Sequence, residues 1–174
     1  MMITLVLLGT LSAPGQDDGA APSVSQTVLE FARSNLGRKV GNGECATLAI
    51  EGLKKAGTQP HFKDGGVVWG AERGSIEEAQ PGDIIQFANV TFIVRKKLPR
   101  GGMSTFTYSF PRHTAILAAI KKAKGDGPPV LTILHQNAGL VDQPEEERRK
   151  VSEWTIDLKD LQNGDLTAFE PGKR

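Results

Sequence analysis

Two apolar runs joined by a polar connection set the tightest limit on how this chain can fold. His113-Thr114-Ala115-Ile116-Leu117-Ala118-Ala119-Ile120 and Val130-Leu131-Thr132-Ile133-Leu134-His135-Gln136-Asn137 flank a Lys, Gly and Pro-rich stretch from Lys121 to Pro129. Short apolar runs bounded by turn residues read as buried strands. Paired as an antiparallel hairpin, they bring the start of the first beside the end of the second. His113 therefore falls close to His135 and Asn137. Alternation along the second strand puts His135 and Asn137 on one face and Gln136 on the other.

Upstream the pattern is helical. Ser23 and Gln26 match a capping box, and Val28, Leu29, Ala32 and Leu36 form one apolar face closed by Gly37. Lys39 to Gly43 turns the chain into a second helix that begins around Cys45. Its apolar positions Leu48, Ala49, Leu53 and Ala56 run up to a stop at Gly57. The stretch from Gly57 to Glu78 is irregular, and Trp69 within it reads as a packing tryptophan or as the wall of a substrate cleft.

Pro81-Gly82-Asp83 signals a turn before the strand Ile84 to Phe87, which Val90, Phe92 and Val94 continue. A solvated basic tip, Arg95 to Arg100, leads through Gly101-Gly102 to a return strand from Thr105 to Phe110. Glu145 to Lys150 reads as an exposed charged loop. Val151 to Leu158 and Asp165 to Phe169 read as two further strands separated by a turn at Asn163-Gly164. Helices first, then about six short strands with hairpin turns, define an α+β fold with an antiparallel sheet.

The 174 residues, 39% hydrophobic and 24% charged, suit one globular domain. A net charge of +1 gives no basic face for nucleic acid. One Cys and three scattered His make no recognised metal-ligand spacing, so neither metal nor organic cofactor is expected. Residues 1–15 carry an apolar stretch, Ile3 to Leu11, too short for a stable membrane span. With Ala13-Pro14-Gly15 after it, this reads as a secretory signal, although no Lys or Arg precedes it. The expectation is a secreted or periplasmic protein: signal 1–15, linker 16–22, domain 23–171. No residue pattern fixes its oligomeric state.

The single cysteine carries the chemistry. Gly41 and Gly43 allow a tight approach to the helix start, where unpaired N–H groups and the positive end of the helix dipole favour a thiolate at Cys45. A thiol nucleophile needs an imidazole to take its proton, and that imidazole needs a third polar group to orient it. Cys45, His113, and His135 or Asn137 supply these in chain order. The plainer alternatives are a small buried cysteine and hydrogen-bonded core histidines.

Gly43-Glu44-Cys45 opening a helix, Pro81-Gly82-Asp83 before a strand, His113-Thr114-Ala115-Ile116 and Leu134-His135-Gln136-Asn137 together resemble the CHAP and NlpC/P60 group of papain-like cysteine hydrolases. The similarity runs from about Ser23 to Pro171. From Val151 onward the chain also looks similar to a papain-like module attached to some fungal cytoskeletal proteins, a likeness that implies fold and not activity. The hydrolase resemblance implies Cys45 as nucleophile, His113 as base and acid, and His135 as orienting group with Asn137 as competitor or helper. Oxyanion donors would be the Cys45 N–H and one from Asn42 or Gly43. It further implies an amide substrate, peptidoglycan peptides or their link to glycan. Glu44 stands where CHAP enzymes frequently carry Gln, and a carboxylate close to the sulfur would oppose its ionisation. Two other activities fit the same residues: a binding or scaffold module without turnover, and an acyltransferase in which an amine intercepts the acyl-enzyme.

Overall fold

A computed structural model describes residues 21–63, 66–123, 125, 127–138 and 143–173. The signal reading for 1–15 and most of the linker lie outside the described residues. Helix α1 spans Val24–Ser34 and is capped as the sequence predicts. The Ser23 hydroxyl accepts from Gln26 N–H at 3.1 Å, while the Gln26 side chain accepts from Ser23 N–H at 2.8 Å. Helix α2 spans Cys45–Lys55, with Cys45 at its first helical position.

Strands β1 (His61–Lys63), β2 (Gly66–Val68) and β3 (Gly70–Glu72) follow, then a 3-10 turn at Ile76–Glu78. The stretch expected to be irregular thus holds three short strands. Strand β4 (Ile84–Lys97) and β5 (Met103–Lys121) form a long hairpin. Thr105–Phe110 and His113–Ile120 prove to be one strand, because Pro111 interrupts nothing. It falls opposite Asn89, which adopts φ 52°, between the pairs Ala88–Arg112 and Val90–Phe110. A proline has no N–H to give the ladder, and the left-handed Asn89 forms an irregularity facing it.

Strand β6 (Val130–His135) is shorter than the apolar run that encodes it. After a one-turn helix α3 (Glu145–Arg148), where a loop was expected, come β7 (Ser152–Asp157) and β8 (Leu161–Pro171). Asn163-Gly164 is not a turn between strands but lies within β8, facing the irregularity at Asn89. Gly164 has φ 87°, and a Cβ there would meet Asn89 O at 2.4 Å.

The main sheet is antiparallel throughout, in the order β3-β8-β4-β5-β6-β7, with β1 and β2 paired separately. Strand alternation divides the core between its two faces. On one face α1 and α2 pack Val28, Leu29, Leu48 and Leu53 against Ile84, Ile116, Leu134 and Trp69. On the other, Ile85, Phe87, Phe92, Leu117, Leu131 and Ile133 pack with Leu158. Burying each large aliphatic or Phe side chain contributes on the order of 1.5–3 kcal/mol.

Pro81-Gly82-Asp83 does structural work between these layers. Gly82 has φ 93°, and a Cβ there would meet Ser25 O of α1 at 2.2 Å. Asp83 is fully buried and takes both arms of the Arg73 guanidinium, at 2.9 and 3.0 Å. Among the described residues no helix is long and apolar enough to cross a membrane.

Candidate active site

Cys45 sits at the mouth of α2, half-buried, on the wall of a cavity of about 330 Å³. His113 of β5 lines the same cavity, with Trp69, Gln86, Val67 and Arg112. The thiol makes no hydrogen bond among the described residues. Its backbone N–H, at the first helical position, has no intrahelical acceptor.

The two histidines meet. His113 Nε2 and His135 Nδ1 are 2.9 Å apart, which leaves His113 Nδ1 as the ring nitrogen without a partner among the described residues. Both rings are buried, and aromatic side chains surround them. Phe110 lies 4.9 Å and Phe87 5.5 Å from the His113 ring, and Trp154 stands 4.7 Å from His135 at 72°. Burial lowers the His113 pKa to about 4. Burial, and then the charge His113 would carry, pushes His135 well below the ordinary range. Both are neutral at pH 7.

His135 and Asn137 do not share a face, because β6 stops at His135 and Asn137 turns into the left-handed region at φ 57°. The side chain of Asn137 goes to Glu44 instead, with Nδ2 donating to Oε2 at 2.7 Å. Arg149 approaches the other carboxylate oxygen at 3.6 Å. Glu44 stands at the N-cap position of α2 without a side-chain capping bond, its carboxylate held by these two residues, and it does not line the Cys45 cavity.

Gly43 gives its N–H to Val40 O at 3.0 Å, so that donor is spent inside the turn. Asn42 Oδ1 accepts from Glu44 N–H and from the Thr47 hydroxyl, at 3.0 and 2.6 Å, and Asn42 too lies outside the cavity lining. Each shapes the turn that precedes the helix. Trp69 is buried in the helix-side core and also lines the cavity.

Two glutamines hold the site together, and the sequence reading passed over both. Gln136 is fully buried. Its amide donates to Val40 O at 3.0 Å and Glu44 O at 2.8 Å, and its oxygen accepts from Val40 N–H at 3.1 Å. The loop that presents Cys45 is thereby tied to the end of the strand that carries His135. Gln86 donates to His113 O at 2.8 Å while accepting from Trp69 Nε1–H at 2.9 Å and from Thr114 at 3.1 Å. The signal for both was their place in buried apolar strands, where an amide must find partners.

A helix-borne thiol thus shares a cavity with a sheet-borne histidine, which a second, buried histidine backs. The family model described as the AIM3/BBC1 cysteine proteinase-fold domain matches residues 18–174, and the chain belongs to that family. No curated protein and no solved structure matches the chain.

Proposed function

We propose that this domain is a cysteine hydrolase acting on an amide bond, with Cys45 as nucleophile, His113 as general base and acid, and His135 as the orienting group. The observation that carries this reading is that His113 lines the cavity that Cys45 shares and is held from behind by the buried His135, 2.9 Å away. His113 Nε2–H donates to His135 Nδ1, which leaves Nδ1 of His113 unprotonated to accept the thiol proton. The sulfur then attacks the carbonyl carbon, and the proton passes to the departing amine as the C–N bond breaks. Water, deprotonated by the same nitrogen, releases the acid and restores the thiol. The Cys45 N–H is the donor nearest the developing oxyanion. In this tautomer His135 carries its proton on Nε2, a buried atom with no hydrogen-bond partner among the described residues, beside the Trp154 ring.

Arg112 lines the cavity without an ion pair among the described residues and favours a substrate carboxylate near the cleaved bond. Kinship with the CHAP and NlpC/P60 enzymes, peptidoglycan peptides as substrate, and export through residues 1–15 enter this proposal on the sequence resemblance alone. A scaffold role without turnover draws on one observation: the burial that keeps His113 uncharged also makes a thiolate–imidazolium pair costly.

The two readings separate on thiol chemistry. Cys45 should react with iodoacetamide near neutral pH, and His113→Ala should slow that reaction at least about tenfold. A rate indifferent to the histidine overturns the hydrolase. Mass spectrometry of peptide amides and muropeptides, comparing wild type with Cys45→Ser, identifies the bond. Products formed with an added amine distinguish transfer from hydrolysis.

A further inference from the structure

The sheet ends in a strand that borders a groove. Strand β7 is last in the strand order and, among the described residues, pairs only with β6, through Ser152↔His135 to Asp157↔Val130; Val151, just before it, already bridges to Leu36. A cavity of about 470 Å³ is lined by five consecutive residues of this strand, Glu153 to Asp157. Val130 of β6 lines it too, so the groove lies over the sheet face from β4 to β7 and reaches the backbone of this last strand. Its opposite wall is apolar: Phe92 and Val94 of β4, and Tyr108 and Phe110 of β5. Free strand N–H and C=O groups beside an apolar trough are what an added strand requires, the edge supplying hydrogen bonds and the trough taking alternate side chains.

Charge selects the occupant. Glu153, Asp157 and Asp160 line the groove against one cation, Lys96. Asp157 is already held by Lys159 at 2.5 Å, whereas Glu153 and Asp160 have no ion pair among the described residues. A second copy of this chain would bring its own acidic β7 against this one, and like charges facing across a strand pair are unfavourable.

We propose that the β7 edge and its groove bind an extended segment of a partner protein, with alternating apolar side chains and at least one Lys or Arg, added as a seventh strand. This surface is independent of Cys45, yet it abuts the histidine pair. Phe110 and Trp154, which wall the groove, are the rings that pack on His113 and His135.

The test uses the full chain, isotope-labelled for NMR, and three synthetic peptides. One is an eight-residue Val/Thr alternation with a Lys at each end; the second has Glu in place of Lys; the third repeats the first with alternate amides N-methylated. The Lys peptide is expected to protect alternate amides of Ser152–Asp157 from hydrogen exchange and to shift the Trp154 indole. Glu153→Lys, an exposed change whose folding is checked by its unfolding midpoint, should weaken binding about fivefold. The Glu and N-methyl peptides should not bind. Equal binding of the N-methyl peptide, protection that spares β7, or no binding of the Lys peptide overturns the proposal. So do outward-facing β7 amides, those not bonded to β6, that are already protected before any peptide is added, since the edge would then be covered by this chain itself.

Discussion

His113 and His135 are neutral in the folded protein because burial penalises their charged forms, and this ties stability to pH. The folded His113 pKa of about 4 lies below the ordinary 6.5, so between these values the unfolded chain binds a proton that the native state refuses. Stability is therefore fully present above about pH 6.5 and lost as pH falls toward 4. For His113 alone the loss is about 2 kcal/mol by pH 5, and His135 adds to it in the same direction. Urea unfolding at pH 7 and pH 5 measures this, and His113→Gln should flatten the dependence. Beside this sits a test of roles. His135→Asn keeps a side-chain acceptor for His113 Nε2–H, whereas His135→Phe keeps only ring volume. The Phe variant should lower turnover by about a hundredfold or more and shift the pH profile of thiol alkylation, with partial recovery in the Asn variant. Equal effects of the two would assign His135 to packing.

At the scale of elements, the end of β6 does three separate jobs in three residues: His135 meets His113, Gln136 ties down the Cys45 loop, and Asn137 restrains Glu44. Gln136→Leu removes three hydrogen bonds and leaves Val40 N–H, Val40 O and Glu44 O buried without that partner. The cost should be about 3 kcal/mol in denaturant unfolding, with the loss of His113-dependent thiol reactivity as a second readout. Gly82 and Gly101 make a matched pair for the turns. Both have φ near 90°, but a Cβ at Gly82 meets α1 while one at Gly101 meets nothing within 4 Å. Gly101→Ala should cost about 1 kcal/mol or less, and Gly82→Ala clearly more, since it must also push α1 away. What the sequence made legible follows from the same local physics. Capping residues located α1, and the placement of the cysteine located the start of α2. Hairpin geometry brought His113 to His135. Strand alternation misplaced Asn137, because periodicity carries no mark of where a strand stops and a left-handed residue takes over.

For the whole molecule, the order of helices and strands was readable because each segment has its own period, and the antiparallel sheet followed from its turns. The length of β5 was not readable, because Pro111 looks like a break until Asn89 is known to lie across from it. Nor was the meeting of α2 with the histidine-bearing strands, which depends on a side chain, Gln136, bridging 96 positions to Val40. The two cores on opposite faces of the sheet are not independent units. Ile84 and Ile85 are neighbours on β4 yet serve different cores, as do Ile116 and Leu117 on β5. Neither core can be lost without unpairing strands that carry the other, so unfolding should be a single cooperative transition. The two tryptophans allow this to be measured: Trp69 belongs to the helix-side core, and Trp154 packs on the other. In Trp154→Phe, where only Trp69 fluoresces, and in Trp69→Phe, where only Trp154 does, the fluorescence midpoint in urea should coincide with that of the far-ultraviolet circular dichroism. The comparison is made within each variant, so any stability lost with the Trp69–Gln86 hydrogen bond does not enter it. A Trp154 midpoint clearly below the backbone signal of its own variant would mean that the face bearing the β7 groove melts by itself, and the shared-strand argument would fail.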